Sequence, residues 1–371
     1  MKITLWLLFA LLFLSACHPQ KKIIASGKSV TIGILAPLSG LNQKYGLQSL
    51  LGVEFANKRE KYLENGDKIV FEVVDTNSTP EGTRVALQSL ADKNVTAIIS
   101  FVGSGNMLAS REVLQTMKIP LIVTLATNDE VTALNDFVVQ ICMSNQREAL
   151  VAAHFIKDEK FINKVGILYN KTSPYSLSLA TQFQKYYKEI HGKELFFLDF
   201  SQKNALQILK RKNLFDVKMI FSVLRAKDNV AVLKVLQKTQ THLLLSDGSF
   251  SSARENVQDE LYLYNGSYII EHYASDMKVK SVYKKLQKVL IEADRKESSY
   301  AFLAYDSYRL LVYALQNCPK YEEECMNALF HNSDIIEGIA GNFSMENGKV
   351  KRKIYVDKID GLRLKKEIVT Y

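Results

Sequence analysis

Apolar and polar residues alternate with two different periods along most of this chain. Short apolar runs such as 30–36 and 95–100 are typical of strands that are buried on both faces. Between them lie longer segments, such as 45–63, whose apolar residues are three or four positions apart, and this spacing predicts amphipathic helices. Because the two patterns follow each other in turn, the sequence predicts parallel sheets covered by helices.

The alternation of strands and helices starts again near residue 144. A second series then runs to about residue 270, without a Pro- or Gly-rich linker before it. Helical patterns follow, and the chain continues with strands over 343–360 that turn at Asn347-Gly348. The sequence therefore predicts an α/β fold of two doubly wound, Rossmann-like lobes. Ligands of such sheets bind beyond the carboxyl ends of the strands, so two facing lobes would form a cleft.

One predicted turn is a candidate anion site. The strand pattern 95–100 leads into Gly103-Ser104-Gly105-Asn106, and helical spacing follows over 107–117. Free backbone N–H groups and the Ser104 hydroxyl would meet there at the positive end of a helix dipole, where a carboxylate or a phosphate could bind. The alternative is that Ser104 only caps the helix.

The N-terminus has the pattern of an export signal. Lys2 precedes an apolar stretch over 3–14 that is too short to span a bilayer, which favours a signal peptide over 1–16. The sequence Leu14-Ser15-Ala16-Cys17 resembles a bacterial lipoprotein box. That resemblance implies cleavage before Cys17, a lipid on its thiol, a polar tether over 17–27, and a position on the extracytoplasmic face of an envelope membrane. The alternative is an ordinary secretory signal with a chance cysteine.

The charge distribution limits the kinds of partner that this chain could bind. The net charge is +9, but Lys and Arg alternate with Asp and Glu on the predicted helices, which argues against a nucleic acid partner.

Cys318 and Cys325 lie between two helical patterns and could form a local disulfide in an oxidising compartment. Cys142 lies in an apolar run and is expected to be a buried thiol. No Cys-x-x-Cys pair or His/Cys cluster indicates a metal site, and no cofactor is expected.

Several short motifs resemble those of one transport family. Ser39-Gly40, followed by Tyr45-Gly46, resembles the Ser-Gly-x(4)-Tyr-Gly signature of branched-chain amino acid binding proteins of ABC transporters, which are type I periplasmic binding proteins of the Leu/Ile/Val-binding kind. Further segments resemble family motifs in the same order: Asp75 to Pro80, Ile99 to Ser104, Thr124 to Thr127, Tyr169 to Tyr175, and Ser246-Asp247-Gly248. Each motif is weak alone, but their order and spacing together are specific.

The resemblance implies a hinge of three chain crossings between the lobes. The crossings would lie near 142–145, 270–273 and 343–347. The first lobe would comprise 28–142 and 273–344, and the second would comprise 145–270 and 346–371.

The resemblance also implies a site for a free amino acid. Ser104, Ala126 and Thr127 would bind its carboxylate through hydroxyl and backbone N–H groups, and Asp247 would pair with its ammonium group. Three further residues would form the walls: Tyr45, Tyr175 and Val102. Asp247 could instead be only a turn residue, and either tyrosine could belong to the core or the surface.

The sequence departs from the family pattern after the strand that ends at Val223. A small or Gly-rich segment is usual there, whereas this chain has Leu224-Arg225-Ala226-Lys227. Arg225 could pair with Asp247, meet a second carboxylate on the ligand, or point outward. The acidic residue is also Asp rather than the longer Glu, so the ligand must shift or a water must intervene.

The residues favour a binding protein over an enzyme. The six His residues belong to no acid/base motif, and Gly103-Ser104-Gly105 lacks the Gly-x-Ser-x-Gly pattern of a nucleophile elbow. We therefore expect a monomeric substrate-binding lipoprotein that captures an amino acid or an analogue, closes around it and delivers it to a membrane permease. The alternative is a non-transport sensor, or a regulator of an envelope enzyme, built on the same fold.

Overall fold

The computed structural model describes residues 23–158, 164–191, 195–273, 281–361 and 363–370. The predicted signal peptide over 1–16 and the lipidation residue Cys17 lie outside the described residues. Of the predicted tether, residues 23–27 are described. Ser26 is already attached to the folded body, because its N–H donates to the Gly66 carbonyl at 2.9 Å.

The first sheet has seven strands, numbered here in chain order: β1 (Ser29–Ala36), β2 (Lys68–Asp75), β3 (Ala97–Ser100), β4 (Leu121–Val123), β5 (Val138–Gln140), β11 (Ser344–Glu346) and β12 (Lys349–Lys351). They lie in the order β11-β12-β5-β4-β3-β1-β2. Strands β1 to β5 pair in parallel, and β11 pairs antiparallel with β12. The helices that accompany this sheet are α1 (Gln43–Arg59), α2 (Pro80–Asp92), α3 (Ser104–Ala109), α4 (Arg111–Thr116), α10 (Ser281–Glu292), α11 (Ser299–Asn317) and α12 (Glu323–His331).

The second sheet repeats this plan: β6 (Lys164–Tyr169), β7 (Leu195–Asp199), β8 (Val217–Ser222), β9 (His242–Leu245), β10 (Tyr268–Glu271), β13 (Ile354–Asp360) and β14 (Arg363–Thr370). Its order is β14-β13-β10-β9-β8-β6-β7. The helices that accompany it are α5 (Asn145–Asp158), α6 (Pro174–His191), α7 (Ala205–Arg211), α8 (Ala226–Leu236) and α9 (Ser249–Asn256). Short 3₁₀ segments complete the described part of the chain: Asp129–Leu134, Gln258–Tyr264 and Pro319–Tyr321.

Both faces of each sheet are buried against helices, which explains the continuous apolar runs. In β1, Ile34 packs with the core shared by α1 and α11, while the next residue, Leu35, packs with the core under α2. In β6, Ile167 and Leu168 likewise enter opposite cores. Each such buried aliphatic side chain stabilises the fold by roughly 1.5–3 kcal/mol. The predicted α/β fold of two doubly wound lobes is confirmed.

The third chain crossing lies later in the chain than the sequence predicts. Strands β11 and β12 belong to the first sheet, so 346–351 belongs to the first lobe and not to the second. Asn347 and Gly348 have φ values of 51° and 73°, which close a two-residue hairpin and keep β12 beside β11. The chain therefore crosses to the second sheet between Lys351 and Ile354.

The bounds of two predicted features can be compared with those in the structure. The single helix expected over 107–117 is divided into α3 and α4 at Ser110, whose hydroxyl donates to the Asn106 carbonyl at 3.0 Å and so bends the helix. The second series, expected to end near residue 270, ends with the short strand β10, which begins at Tyr268 after the 3₁₀ helix Gln258–Tyr264.

The cysteines of the described chain are partly oxidised. Cys318 and Cys325 are joined by a disulfide across the turn between α11 and α12, with their Cα atoms 5.7 Å apart. Cys142 is a free, buried thiol. No helix in the described ranges combines the length and the apolar character needed to cross a membrane.

Candidate ligand-binding cleft

A cavity of about 730 Å³ lies where the carboxyl ends of the two sheets face each other. The first lobe contributes the loops after β1, β3 and β4, and the second contributes the loops after β6, β8 and β9. This is the position in which doubly wound sheets bind ligands. Five residues proposed from the sequence line it: Tyr45, Ser104, Thr127, Tyr175 and Asp247.

Two buried hydroxyls form the first lobe's polar wall. Ser104 is the first residue of α3, with Gly103 as the cap, so it is not the capping residue itself. Its Oγ accepts a hydrogen bond from the Asn128 N–H at 3.2 Å, which leaves the hydroxyl proton to donate. Thr127 is 4% exposed, and its Oγ1 has no hydrogen-bond partner among the described residues. A buried hydroxyl without a partner is uncommon, so an acceptor from a ligand would satisfy it.

Val102 and Ala126 do not line the cavity. Val102 is buried in the core with Leu35, and the wall is formed instead by its neighbours Phe101 and Gly103. Successive side chains of an extended segment point in opposite directions, so Phe101 and Val102 cannot both face the cleft. Ala126 lies behind the wall, where its carbonyl accepts from Gln140 Nε2 at 2.6 Å. The expectation that Val102 walls the site is therefore wrong.

Aromatic rings cover the cavity from the first lobe. The ring centroids of Tyr45 and Tyr300 lie 4.9 Å apart, and both side chains reach across to the second lobe. The Tyr45 hydroxyl is 2.8 Å from Ser252 Oγ, and the Tyr300 hydroxyl donates to the Gly248 carbonyl at 3.0 Å. Sequence reasoning missed Tyr300, because it lies at the start of a helix and far along the chain from every motif of the site.

Asp247 is held by His272, a residue that the sequence analysis did not single out. The Asp247 side chain is 12% exposed, and its Oδ2 lies 3.1 Å from Nε2 of the fully buried His272. Its Oδ1 accepts a longer bond from the Tyr175 hydroxyl at 3.4 Å. His272 directly follows β10, which pairs with β9, so a search of all residues after strand ends would have found it.

Two further acids lie behind Asp247. Glu148 accepts a hydrogen bond from the Asp247 backbone N–H at 2.8 Å, and Glu271 ends β10. Burial, assisted by the nearby charge of Asp247, raises the pKa of both carboxyls well above their usual range. Burial therefore favours their neutral forms, and Asp247 is the acid of this group that reaches the cavity.

Arg225 lines the cavity without pairing with Asp247. The guanidinium is exposed and forms no hydrogen bond or ion pair with any residue in the described ranges. Asp228, one turn further on, is half-buried; burial raises the pKa of its carboxyl, while the charge of Arg225 opposes this shift. Of the three orientations considered from the sequence, the structure excludes pairing with Asp247.

The two lobes are in direct contact beside the cavity. Gln48 Nε2 donates to Glu255 Oε1 at 2.7 Å, and Lys44 Nζ donates to the Glu255 carbonyl at 2.7 Å. At another point, Asn128 Nδ2 donates to the Pro174 carbonyl at 3.3 Å. The structure is therefore a closed arrangement of the lobes. Within its described residues, no group of three or more His, Cys, Asp or Glu side chains is placed to hold a metal ion.

Comparisons with known proteins agree with this architecture. The model of the family described as "Periplasmic binding protein" matches residues 29–363. A Leu/Ile/Val-binding protein homolog 1 from Brucella abortus is 31% identical over 185 residues, which are 47% of this chain and 49% of that protein. The chain thus matches about half the length of the curated relatives.

Solved structures show the same fold at low identity. The leucine binding protein LivK from Thermotoga maritima superposes with a TM-score of 0.79 at 20% identity, covering 92% of this chain and 98% of that one. A solute binding protein of an ABC transporter from R. palustris, in complex with 4-hydroxybenzoate, gives 0.77 at 19% identity, covering 93% and 97%. With the family model spanning nearly the whole described chain, this protein belongs to the periplasmic binding protein family.

Proposed function

We propose that this protein captures a free amino acid or a close analogue in the cleft and delivers it to the permease of an ABC transporter. It would act as a monomer, without catalysis or a cofactor, on the extracytoplasmic side of a membrane to which a lipid on Cys17 holds it. Closure of the lobes around the ligand would create the form that docks on the permease.

The observation that carries this proposal is the unpartnered hydroxyl of Thr127. It is 4% exposed, lines the cavity and has no hydrogen-bond partner in the described part of the chain. The Ser104 hydroxyl lines the same wall and can also donate. Two donors on the same wall of the cavity suit a carboxylate, since hydrogen bonds to an ionised acceptor are stronger than neutral ones.

Asp247 supplies the opposite charge for an ammonium group. Each carboxylate oxygen of Asp247 accepts one hydrogen bond from the protein, which leaves acceptor capacity on both. The names of related proteins support an amino acid as ligand: the Brucella relative is a Leu/Ile/Val-binding homologue, and LivK is a leucine binding protein.

An aromatic carboxylate is a second candidate ligand. His272 already lies within ion-pair distance of Asp247, and a ligand without an ammonium group would need no free acid there. The R. palustris neighbour was solved with 4-hydroxybenzoate. Such a ligand would use the same hydroxyl wall and would place its ring beside Tyr45 and Tyr300.

Ligand identification and one variant test the proposal. Native mass spectrometry of the purified protein, followed by calorimetry with amino acids and hydroxybenzoates, should find an α-amino acid that binds. Thr127→Val should weaken that ligand by roughly 5- to 50-fold, since it removes one donor to a carboxylate. Thr116→Val, at an exposed helix end outside the cavity, is the control and should leave affinity unchanged.

Two outcomes would overturn the proposal. One is the absence of any co-purified ligand together with no heat from any amino acid. The other is cellular function that persists in a triple variant of Ser104, Thr127 and Asp247 to Ala, which would favour a sensor or a regulator of an envelope enzyme that does not use the cleft.

A further inference from the structure

Among the described residues that line the cavity, Arg225 is the one with a cationic side chain. The other charged side chains of the lining are the acids Asp228 and Asp247. The guanidinium makes no hydrogen bond or ion pair with the described protein, so its five donors remain available. A planar guanidinium binds a carboxylate or a phosphate through two parallel hydrogen bonds.

The sheet places Arg225 beside the proposed ammonium site. Strand β8 lies between β9 and β6, and neighbouring strands are about 4.8 Å apart. Asp247 follows β9, Arg225 follows β8, and Thr172 and Ser173 follow β6, so all four emerge at the same edge of the second sheet. One wall of the cavity therefore carries the anionic Asp247 and the cationic Arg225, which do not form an ion pair. The hydroxyls of Thr172 and Ser173 follow the strand beside that of Arg225.

The cavity has room for a ligand longer than the groups already assigned. Its volume of about 730 Å³ is in the range of roughly 300–1,000 Å³ that holds drug-sized molecules. The α-carboxylate and the ammonium group would occupy the span from Thr127 to Asp247. The space beside Arg225 then remains for the far end of the side chain.

We propose that the ligand carries a second anionic group that pairs with Arg225, so that the site selects an acidic amino acid over a neutral one. This inference rests on the proposed function, since it adds a third contact to the same site. The α-carboxylate meets Ser104 and Thr127, the ammonium group meets Asp247, and the side-chain anion meets Arg225. Arg225 is then the residue that determines ligand specificity.

Matched ligand pairs separate the side-chain charge from the shape. Calorimetry of the full-length protein should show that Glu binds roughly 10- to 100-fold more tightly than Gln, which has nearly the same size but no charge. Asp and Asn form a second pair of nearly equal size. The preference for the acid should fall as salt is raised, because the guanidinium is exposed.

Two variants locate the effect. Arg225→Gln should abolish the preference of Glu over Gln, because it lowers the affinity for Glu by roughly 10- to 100-fold and the affinity for Gln by much less. Lys227→Gln removes the same charge two residues further on, where the side chain is exposed and outside the cavity lining, and should leave both affinities unchanged. Thermal unfolding of each variant would confirm that the fold is intact.

The outcomes distinguish this inference from the proposed function. If neutral amino acids bind as tightly as acidic ones, or if Arg225→Gln leaves the preference for the acid intact, the inference is wrong and the proposed function stands. If no amino acid of either kind binds, the proposed function itself fails, and the inference fails with it. A preference for the acid that both variants lose equally would indicate a general charge effect and would also overturn the assignment to Arg225.

Discussion

Asp75 and Asp199 play equivalent structural roles in the two lobes, because each carboxylate holds a neighbouring loop through hydrogen bonds. Each ends the strand next to the lobe's first strand and accepts hydrogen bonds from the loop that follows that first strand. Asp75 accepts from the N–H groups of Leu38 and Ser39 at 2.8 and 3.2 Å. Asp199 accepts from the N–H of Lys171 at 3.1 Å. These carboxylates hold the loops whose later residues reach the cavity.

Replacement of Asp199 should destabilise the protein in a pH-dependent way. Its burial opposes ionisation, but hydrogen bonds from Lys171 and Ser201 outweigh it and lower the pKa of Asp199. A depressed pKa stabilises the folded state above the unfolded pKa of about 3.9, and this contribution disappears as the pH falls through the folded value. Asp199→Asn should therefore cost about 1–3 kcal/mol in urea unfolding at pH 7 and less at pH 3.

The exposed Asp136 provides a control for this experiment. Asp136→Asn should have little effect at either pH. An equal loss for Asp199→Asn at pH 7 and pH 3 would show that the carboxylate charge is not what holds the loop.

Several candidate residues named from the sequence line the cavity, and they lie shortly after the ends of strands. Ser104 could be found from the strand and helix pattern alone, because strand ends define the edge at which ligands bind, whereas Thr127 and Asp247 were named from the resemblance to family motifs. Val102 was wrongly assigned, since the side-chain alternation that sends it into the core depends on the exact end of β3. Tyr300 and His272 were missed because tertiary packing, and not a local pattern, brings them to the cleft.

The turn between α11 and α12 contains the disulfide and is linked by hydrogen bonds to the N-terminal segment. The disulfide spans a sequence separation of seven residues, and within it Lys320 and Tyr321 adopt left-handed φ values of 51° and 60°. Such values are unfavourable for residues other than Gly. The Tyr321 hydroxyl donates to Asp67 Oδ2 at 2.6 Å, and Asp67 also accepts a hydrogen bond from the Ser26 hydroxyl.

Loss of this disulfide should loosen the place where the N-terminal segment attaches. For a loop of this length, the chain-entropy model predicts a loss of roughly 2.5 kcal/mol for the double variant Cys318→Ser, Cys325→Ser. Urea unfolding measures this loss, and hydrogen exchange should show faster exchange of the Ser26 N–H. A reductant should destabilise the original protein and leave the double variant unaffected. Equal stability of the two proteins would contradict this role.

At the level of elements, alternation predicted most of both sheets, because their strands are buried on both faces and read as continuous apolar runs. The hairpin turn at Asn347-Gly348 was also predicted. The lobe to which this hairpin belongs was not predicted correctly, because β11 and β12 have only three residues each and their sequence does not indicate which sheet they join. The bend at Ser110 was missed because it arises from one side-chain hydrogen bond.

The whole molecule has a polar interlobe latch, formed by Gln48, Glu255 and Lys296. Glu255 Oε1 accepts from Gln48 Nε2 at 2.7 Å and from the Lys296 N–H at 2.9 Å, and Glu255 is buried. Gln48 is fixed in turn by the Ser298 hydroxyl, which donates to its Oε1 at 2.8 Å. Because these bonds join the lobes through protein groups alone, they stabilise the closed form whether or not a ligand is bound.

The latch should therefore raise ligand affinity by populating the binding-competent form in advance. If closure is favoured by about 1–2 kcal/mol through these bonds, Glu255→Ala should weaken ligand binding by roughly 5- to 30-fold, although Glu255 does not line the cavity. Small-angle scattering should show a larger radius of gyration for the unliganded variant, and saturating ligand should restore the compact value. Asp259→Ala, at an exposed position of the same lobe, is the control. A variant that stays as compact and binds as tightly as the original would mean that the ligand alone determines closure.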